Sequence, residues 1–206
     1  MTRLKKLLSE KPMTLIVQLW ETNPQLAEIA EQNGADAILV NGLEGADEIL
    51  GRVSIPVGVN LNPDEKLNKK TVAALSDFDF VNFGLKQVEN FKDIKITRLA
   101  ALGGEFSFDS LMGLDDKVEA IDAAIVPVTD RLKNLEIGDL QNYISVIISS
   151  SLPVLIPTDR MIKPSEVSIV WDAGAKGLIL TSRVLGETTK SLERNLKEYR
   201  IAADDL

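Results

Sequence analysis

The sequence contains neither histidine nor cysteine among its 206 residues. Disulfides, thiolate nucleophiles, Ser-His and Cys-His pairs, and imidazole or thiolate metal sites are therefore excluded. Any proton transfer must use a carboxylate, a lysine, a tyrosine or water.

Clusters of basic residues and long apolar runs are also missing. The formal net charge is −8 and the pI is near 4.7, which argues against a nucleic-acid-binding protein. No run reaches the roughly 20 apolar residues that span a bilayer, and the basic stretch TRLKKLLSEKP (2–12) leads to no signal-peptide cleavage site. We therefore expect a cytoplasmic protein that binds neither nucleic acid nor membrane; a homodimer stays open.

The chain does contain short apolar, β-branched runs at fairly even spacing, and its 45% hydrophobic content is enough to form a full core. The eight runs are TLIVQLW (14–20), ADAILVN (35–41), IPVGVNL (55–61), DFVNFGL (79–85), IKITRLAAL (94–102), AAIVPVT (123–129), LPVLIPT (152–158) and KGLILTS (176–182). Continuous apolarity is typical of parallel strands that are covered on both faces, and most intervals between the runs are amphipathic and helix-like.

The intervals carry helix start and stop signals. In NPQLAEIAEQNG, Asn23 can cap, Pro24 suits the first turn and Gly34 can end the helix; KPSEVSIVWDAG ends similarly at Gly174. Eight strand–helix units predict an α/β fold, a (β/α)8 TIM barrel forming a single domain over 1–206, with an open doubly wound sheet as the alternative. TRLKKLLSE would be an extra N-terminal helix and SLERNLKEYRIAADDL the last helix, and we expect a longer, mobile loop in 86–122.

Polar residues end several of the predicted strands, at the face where barrel enzymes place their sites. The first four are amides, Gln18, Asn41, Asn60 and Asn82. Because an amide buried without partners costs about 1–3 kcal/mol, something should satisfy them. Either they bind a polyhydroxylated or carbonyl ligand, or they pair with one another or with water.

The candidate acids and bases follow other strand ends. They are Glu21, Glu44, Glu105, Asp130 and Asp159, and each also suits the N-cap or first turn of a helix. We take Glu21 or Asp130 as the residue that moves a proton. A Mg²⁺ site made from two or three carboxylates stays open, but no pair has diagnostic spacing, so no metal or other cofactor is predicted.

The stretch AGAKGLILTSRVLG (173–186) is similar to the strand-8 half of the phosphate cradle in ribulose-phosphate-binding barrels. ADAILVNG and IPVGVN resemble the second and third strands of N-acetylmannosamine-6-phosphate epimerase-type barrels. The resemblance implies a phosphosugar-type isomerase, epimerase or lyase that binds a small phosphorylated or otherwise anionic metabolite. Thr181 and Ser182 would offer the turn into a helix, and Arg183 the counter-charge.

The sequence departs from that pattern in two places. The strand-7 loop, IPTDRMIKP, lacks the usual glycines, so Thr158, Arg160 and Lys163 would have to bind the anion with side chains, and Asp159 is expected to pair with one of the two cations. Strand 3 ends in VNLNPDEK, without the expected pair of a basic and an acidic residue. Two alternatives therefore stay open: a barrel that binds a metabolite without catalysis, and a Schiff-base aldolase that uses Lys86.

Overall fold

Eight parallel strands form a closed barrel in sequence order, with β1 paired to both β2 and β8. The computed structural model describes residues 1–64, 67–91, 94–104, 106–130 and 133–206. The strands are β1 (Thr14–Gln18), β2 (Ala37–Asn41), β3 (Val57–Asn60), β4 (Phe80–Gly84), β5 (Thr97–Ala101), β6 (Ala120–Asp122), β7 (Val154–Pro157) and β8 (Gly177–Leu180). The predicted barrel is confirmed, and the open sheet is excluded.

The described residues form helices that, apart from the first, pack around the outside of the barrel. They are α1 (Arg3–Glu10), α2 (Pro24–Gln32), α3 (Asp47–Leu50), α4 (Lys69–Ala74), α5 (Ile137–Ile148), α6 (Val167–Asp172), α7 (Ser182–Leu185) and α8 (Thr189–Asp204). After β4 and β5, the described residues form only 3-10 turns, Leu85–Phe91 and Phe108–Leu111. The predicted first and last helices are both confirmed.

The start and end of α2 follow the sequence signals. Asn23 Oδ1 accepts a hydrogen bond from the Gln25 N–H at 2.9 Å, and Pro24 occupies the first turn. Gly34 follows the helix with φ near 105°, a region that favours glycine. A Cβ at Gly34 would lie only 2.6 Å from the Arg200 side chain, which packs over it from α8. The glycine therefore allows α8 to approach closely.

Two apolar clusters make up the core. The inner cluster fills the barrel with Ile16, Leu39, Phe80, Leu99, Leu155 and Ile179, together with shorter side chains. Leu4 and Leu8 of α1 belong to it, so the extra helix closes the N-terminal end of the barrel. The outer cluster lies between strands and helices and includes Leu192 and Leu196 of α8. With the bottom closed, the C-terminal face is the open end.

The sixth strand was predicted in the wrong place. The run 123–129 follows β6, whose register pairs Ala120 with Leu99 and Asp122 with Ala101. A hydrogen bond of 2.8 Å from the Ile125 N–H to the Ala123 carbonyl oxygen turns the chain directly after the strand. The run is apolar because Ala123 and Val126 pack into the outer core rather than because they extend the sheet.

Candidate functional site

The four amides form one hydrogen-bonded row across the mouth of the barrel. Gln18 Nε2 donates to Asn41 Oδ1 at 2.8 Å, and Asn60 Nδ2 donates to the same oxygen at 3.2 Å. Asn82 Nδ2 donates to Asn60 Oδ1 at 3.1 Å. The register explains the row, because Asn41, Asn60 and Asn82 lie side by side on adjacent strands. Of the two interpretations of the amides, the structure shows the pairing with one another.

A buried carboxylate that was not predicted from the sequence, Asp122, ends this row. Asn82 Nδ2 also donates to Asp122 Oδ2 at 2.7 Å, and Asp122 is only 5% exposed. We call Gln18, Asn41, Asn60, Asn82 and Asp122 the mouth chain. Asp122 is the last residue of β6, as Asn41 and Asn60 are the last residues of β2 and β3. That shared position was the available signal, and misplacing β6 concealed it.

A cavity of about 440 Å³ adjoins the mouth chain at the ends of β4 and β5. We call it the β4–β5 cavity; its lining includes Gly84, Lys86, Ala101, Gly104, Phe106 and Ser110. Ala101 pairs with both Gly84 and Asp122 in the barrel register, so this cavity begins beside the buried end of the mouth chain. Lys86, a predicted catalytic residue, therefore lies on the wall of a cavity at the mouth.

The two predicted proton carriers lie outside the mouth chain. Glu21 is exposed and accepts a hydrogen bond of 3.0 Å from Asn23 Nδ2, next to the cap of α2. Asp130 accepts one of 2.8 Å from Lys133 Nζ. This hydrogen bond and the positive charge of Lys133 hold the pKa of Asp130 below its ordinary value, which makes it a weaker base. Of the other candidate acids and bases, Glu44 is exposed, Asp159 is buried, and Glu105 lies outside the described residues.

Thr158 and Thr181 bind each other at the ends of β7 and β8. Thr158 Oγ1 accepts a hydrogen bond from the Thr181 N–H at 2.9 Å and lies 3.1 Å from Thr181 Oγ1. It also donates to the Ile179 carbonyl oxygen at 3.2 Å. Thr158 is fully buried. Its hydrogen bonds with Thr181 join the ends of the two strands.

Ser182 and Arg183 begin the short helix α7. Ser182 Oγ donates to Glu187 Oε1 at 3.2 Å. Arg183 and Lys163 line the same cavity of about 160 Å³, together with Asn195 and Glu198. The structure therefore brings together the two cations that the sequence places after β7 and β8.

Arg160 turns toward α5 and forms an ion pair there. Its Nη2 lies 2.8 Å from Asp139 Oδ1, and its Nη1 donates to the Asp130 carbonyl oxygen at 2.6 Å. Asp139 Oδ2 also accepts a hydrogen bond of 2.9 Å from the Glu136 N–H in the capping box of α5. The pairing of Asp159 with Arg160 or Lys163 stays a prediction. The sequence did not indicate Asp139, because its position beside Arg160 depends on the packing of α5.

Tyr143 lies beside this ion pair in a polar cavity. The cavity has a volume of about 250 Å³ and is lined by Asp130, Asp139, Tyr143 and Arg160, among others. The Tyr143 hydroxyl is buried and has no hydrogen-bond partner in the described part of the chain. Burial, then the charges of Asp159 and Asp139, raise the pKa of Tyr143, so its hydroxyl stays protonated and can donate.

Neither a cluster of metal-binding side chains nor a membrane-spanning helix is found among the described residues. Across 1–64, 67–91, 94–104, 106–130 and 133–206, no three acidic side chains converge as they would to hold a metal ion. In the same ranges, no helix is both long and apolar enough to cross a membrane.

No protein-family model matches the chain, and no curated protein sequence matches it. Solved structures do match. Thiamine phosphate pyrophosphorylase from Pyrococcus furiosus is 16% identical with a TM-score of 0.69, over 95% of this chain and 97% of the other. N-acetylmannosamine-6-phosphate 2-epimerase from Clostridium perfringens is 16% identical with a TM-score of 0.64, over 82% and 86% of the two chains.

A third similar structure is N-(5'-phosphoribosyl)anthranilate isomerase from Pyrococcus furiosus, 15% identical with a TM-score of 0.64, over 94% of this chain and all of the other. The fold is similar to that of the ribulose-phosphate-binding-type barrels. The resemblance suggested by the sequence is thereby confirmed as a distant similarity of structure. At this level of identity it concerns the fold alone.

Proposed function

We propose that the protein binds a small phosphorylated or otherwise anionic metabolite at the C-terminal face of the barrel, and that it acts on this metabolite as an isomerase, epimerase or lyase. The mouth chain supports this most directly. Five polar side chains line up across the one open end of the barrel, and the β4–β5 cavity starts beside their buried end. Such a cavity with a few convergent polar groups is typical of a small-molecule site.

The names of the similar structures point to the same class of ligand. They are a thiamine phosphate pyrophosphorylase, an epimerase of a sugar 6-phosphate and an isomerase of a phosphoribosyl compound. Each name contains a phosphorylated metabolite. Because a fold hosts many chemistries, these names favour the ligand class more strongly than any one reaction.

For the anionic group, we propose the corner between β7 and β8. Arg183 and Lys163 line one cavity there, and Ser182 begins the helix that follows β8. Two cations can hold a phosphate without the glycine-rich loop that the sequence lacks. Arg160 does not line this cavity and forms its ion pair with Asp139 of α5.

Thermal unfolding with a panel of sugar phosphates, inorganic phosphate, free sugars and keto acids tests this proposal. A ligand at 100 times its dissociation constant stabilises the fold by about 2.7 kcal/mol, which is roughly 5–11 °C in Tm for a chain of this size. We expect shifts with phosphorylated compounds, and we expect Arg183→Ala to remove most of each shift because it removes a counter-charge. Lys190→Ala, an exposed cation of α8, is the matched control and should leave the shifts unchanged.

Equal shifts in Arg183→Ala and the wild-type protein would move the anion away from the β7–β8 corner. If no phosphorylated compound gave a shift, a phosphometabolite function would be wrong, and the barrel without catalysis would take its place. The pairing of the amides with one another favours that alternative, since the free protein already satisfies most of their hydrogen bonds.

The position of Lys86 favours an aldolase as the second candidate, because its side chain borders the β4–β5 cavity. In this case the amine condenses with a ketone of the substrate and releases water, and borohydride then reduces the resulting imine to a stable secondary amine. We expect pyruvate with borohydride to add the corresponding mass at Lys86. Lys86→Arg should abolish the added mass, whereas Lys176→Arg, an exposed lysine before β8, should retain it. An unmodified wild-type protein would rule the aldolase out.

A further inference from the structure

We propose that the mouth chain selects ligands by their hydroxyl groups. The carboxylate of Asp122 orients the amides, so that the buried end of the mouth chain presents hydrogen-bond acceptors to the ligand. The inference rests on the proposed function and names a narrower substrate class: a sugar or polyol phosphate with a free hydroxyl group near β4 and β6. It gives Asp122 a role in positioning and specificity.

Asp122 determines the direction of the hydrogen bonds along the mouth chain. An ionised carboxylate can only accept hydrogen bonds, so Asn82 must present its Nδ2 to Asp122, and the two atoms of this bond lie 2.7 Å apart. The same Nδ2 donates to Asn60 Oδ1 at 3.1 Å. If Asn82 were reversed, its oxygen would face the carboxylate oxygen. Asp122 therefore excludes the reversed amide.

The orientation of Asn82 in turn determines the orientation of the amides on β3 and β2. Because Asn60 Oδ1 accepts from Asn82, the Nδ2 of Asn60 is left to donate, and it donates to Asn41 Oδ1 at 3.2 Å. Gln18 Nε2 donates to the same oxygen from the other side at 2.8 Å. One carboxylate thus fixes which end of each amide faces its neighbour.

The orientation leaves an acceptor open at the buried end. Both hydrogens of Asn82 Nδ2 are used, whereas Asn82 Oδ1 is buried without a hydrogen-bond partner in the described part of the chain. Asn82 is only 3% exposed and stands at the strand end beside Asp122. A buried carbonyl oxygen without a donor is unfavourable, and a ligand hydroxyl would supply the missing hydrogen bond.

The same geometry discriminates against ligands without donors. A ketone or carboxylate oxygen placed here would meet the amide oxygen of Asn82 and a carboxylate oxygen of Asp122, which both accept hydrogen bonds. A hydroxyl can donate to either. Of the two ligand groups that the amides suggested at first, the hydroxyl therefore fits the buried end and the carbonyl does not.

Isothermal titration with four phosphorus compounds tests the inference. Ribitol 5-phosphate and glycerol 3-phosphate carry hydroxyls, whereas 2-phosphoglycolate and inorganic phosphate have no alcohol hydroxyl. We expect the wild-type protein to bind the first two at least tenfold more tightly than the last two. In Asp122→Asn we expect that ratio to approach one, since the amide introduced at this position can turn to donate to Asn82 Oδ1 and occupy the acceptor.

Two further variants separate the role of Asp122 from a general change of charge. Asp205→Asn removes an equal charge from an exposed position and should change neither the Tm nor the ratio. Asn82→Ala, which deletes the acceptor, should also abolish the preference and supplies a second route to the same result.

Failure of the selection by hydroxyl and failure of the proposed function would give different results. Equal affinity for compounds with and without hydroxyls, or an unchanged ratio in Asp122→Asn, would overturn the selection by hydroxyl while leaving phosphometabolite binding intact. If none of the four compounds bound the wild-type protein, the proposed function would fail for this class.

Discussion

Replacing Arg160 by methionine is expected to lower the free energy of unfolding by about 3–5 kcal/mol, because it leaves the Asp139 carboxylate buried without its cation. The side chains of the pair are 9% and 10% exposed, and their closest atoms lie 2.8 Å apart. Urea unfolding followed by circular dichroism measures the change, and a thermal scan should show a loss of roughly 6–20 °C in Tm.

Combining Arg160→Met with Asp139→Asn should recover most of that loss. The neutral amide needs no counter-charge, and its oxygen can still accept the hydrogen bond from the Glu136 N–H. Additive losses in the double variant would show that the pair is not coupled. A stable Arg160→Met protein that no longer binds phosphorylated compounds would instead return Arg160 to the anion site that the sequence suggested.

Replacing Asp36 by alanine is expected to cost about 3 kcal/mol. Asp36 is 7% exposed and joins three parts of the chain: its carboxylate contacts Lys11 Nζ, lies 3.1 Å from Arg200 Nη1, and accepts a hydrogen bond of 2.8 Å from the Leu15 N–H. Alanine would leave that N–H unpaired and remove a link between β1, β2 and α8. The Tm and the midpoint of urea unfolding measure the loss.

Asp36→Asn separates the two contributions. Its oxygen can still accept from the Leu15 N–H, so the loss should fall to about 1 kcal/mol, the part that comes from partly exposed cations. A loss as large as that of alanine would show that the charge dominates. Equal stability of Asp36→Ala and the wild-type protein would contradict the role of Asp36 as a link.

The sequence predicted the barrel well because the strand pattern is local. Runs such as ADAILVN and KGLILTS show continuous apolarity and end at polar residues, and the structure places β2 and β8 inside them. Asn23 and Gly34 mark the limits of α2 for equally local reasons, a side-chain cap and a positive φ. In region 86–122 the described residues form β5, β6 and 3-10 turns, and the longer, mobile loop stays a prediction.

The partners of the site residues could not be predicted in the same way. The stagger between neighbouring strands places Asn41, Asn60 and Asn82 side by side. This stagger could not be predicted from a single sequence. Arg160 meets Asp139 through the packing of α5. Asp122 was missed for a simpler reason, since it interrupts an apolar stretch and hides the true end of β6.

The closure of the barrel bottom by α1 also constrains the order of folding. The Thr2 hydroxyl bonds with the Thr97 hydroxyl, and Arg3 pairs with Asp79, so α1 is fixed by β5 and by the residue before β4. These contacts join residues 95 and 76 positions apart, and such distant pairs form slowly because long loops must close first. The contacts that hold the first helix of the chain can therefore be complete only once the fifth strand is in place.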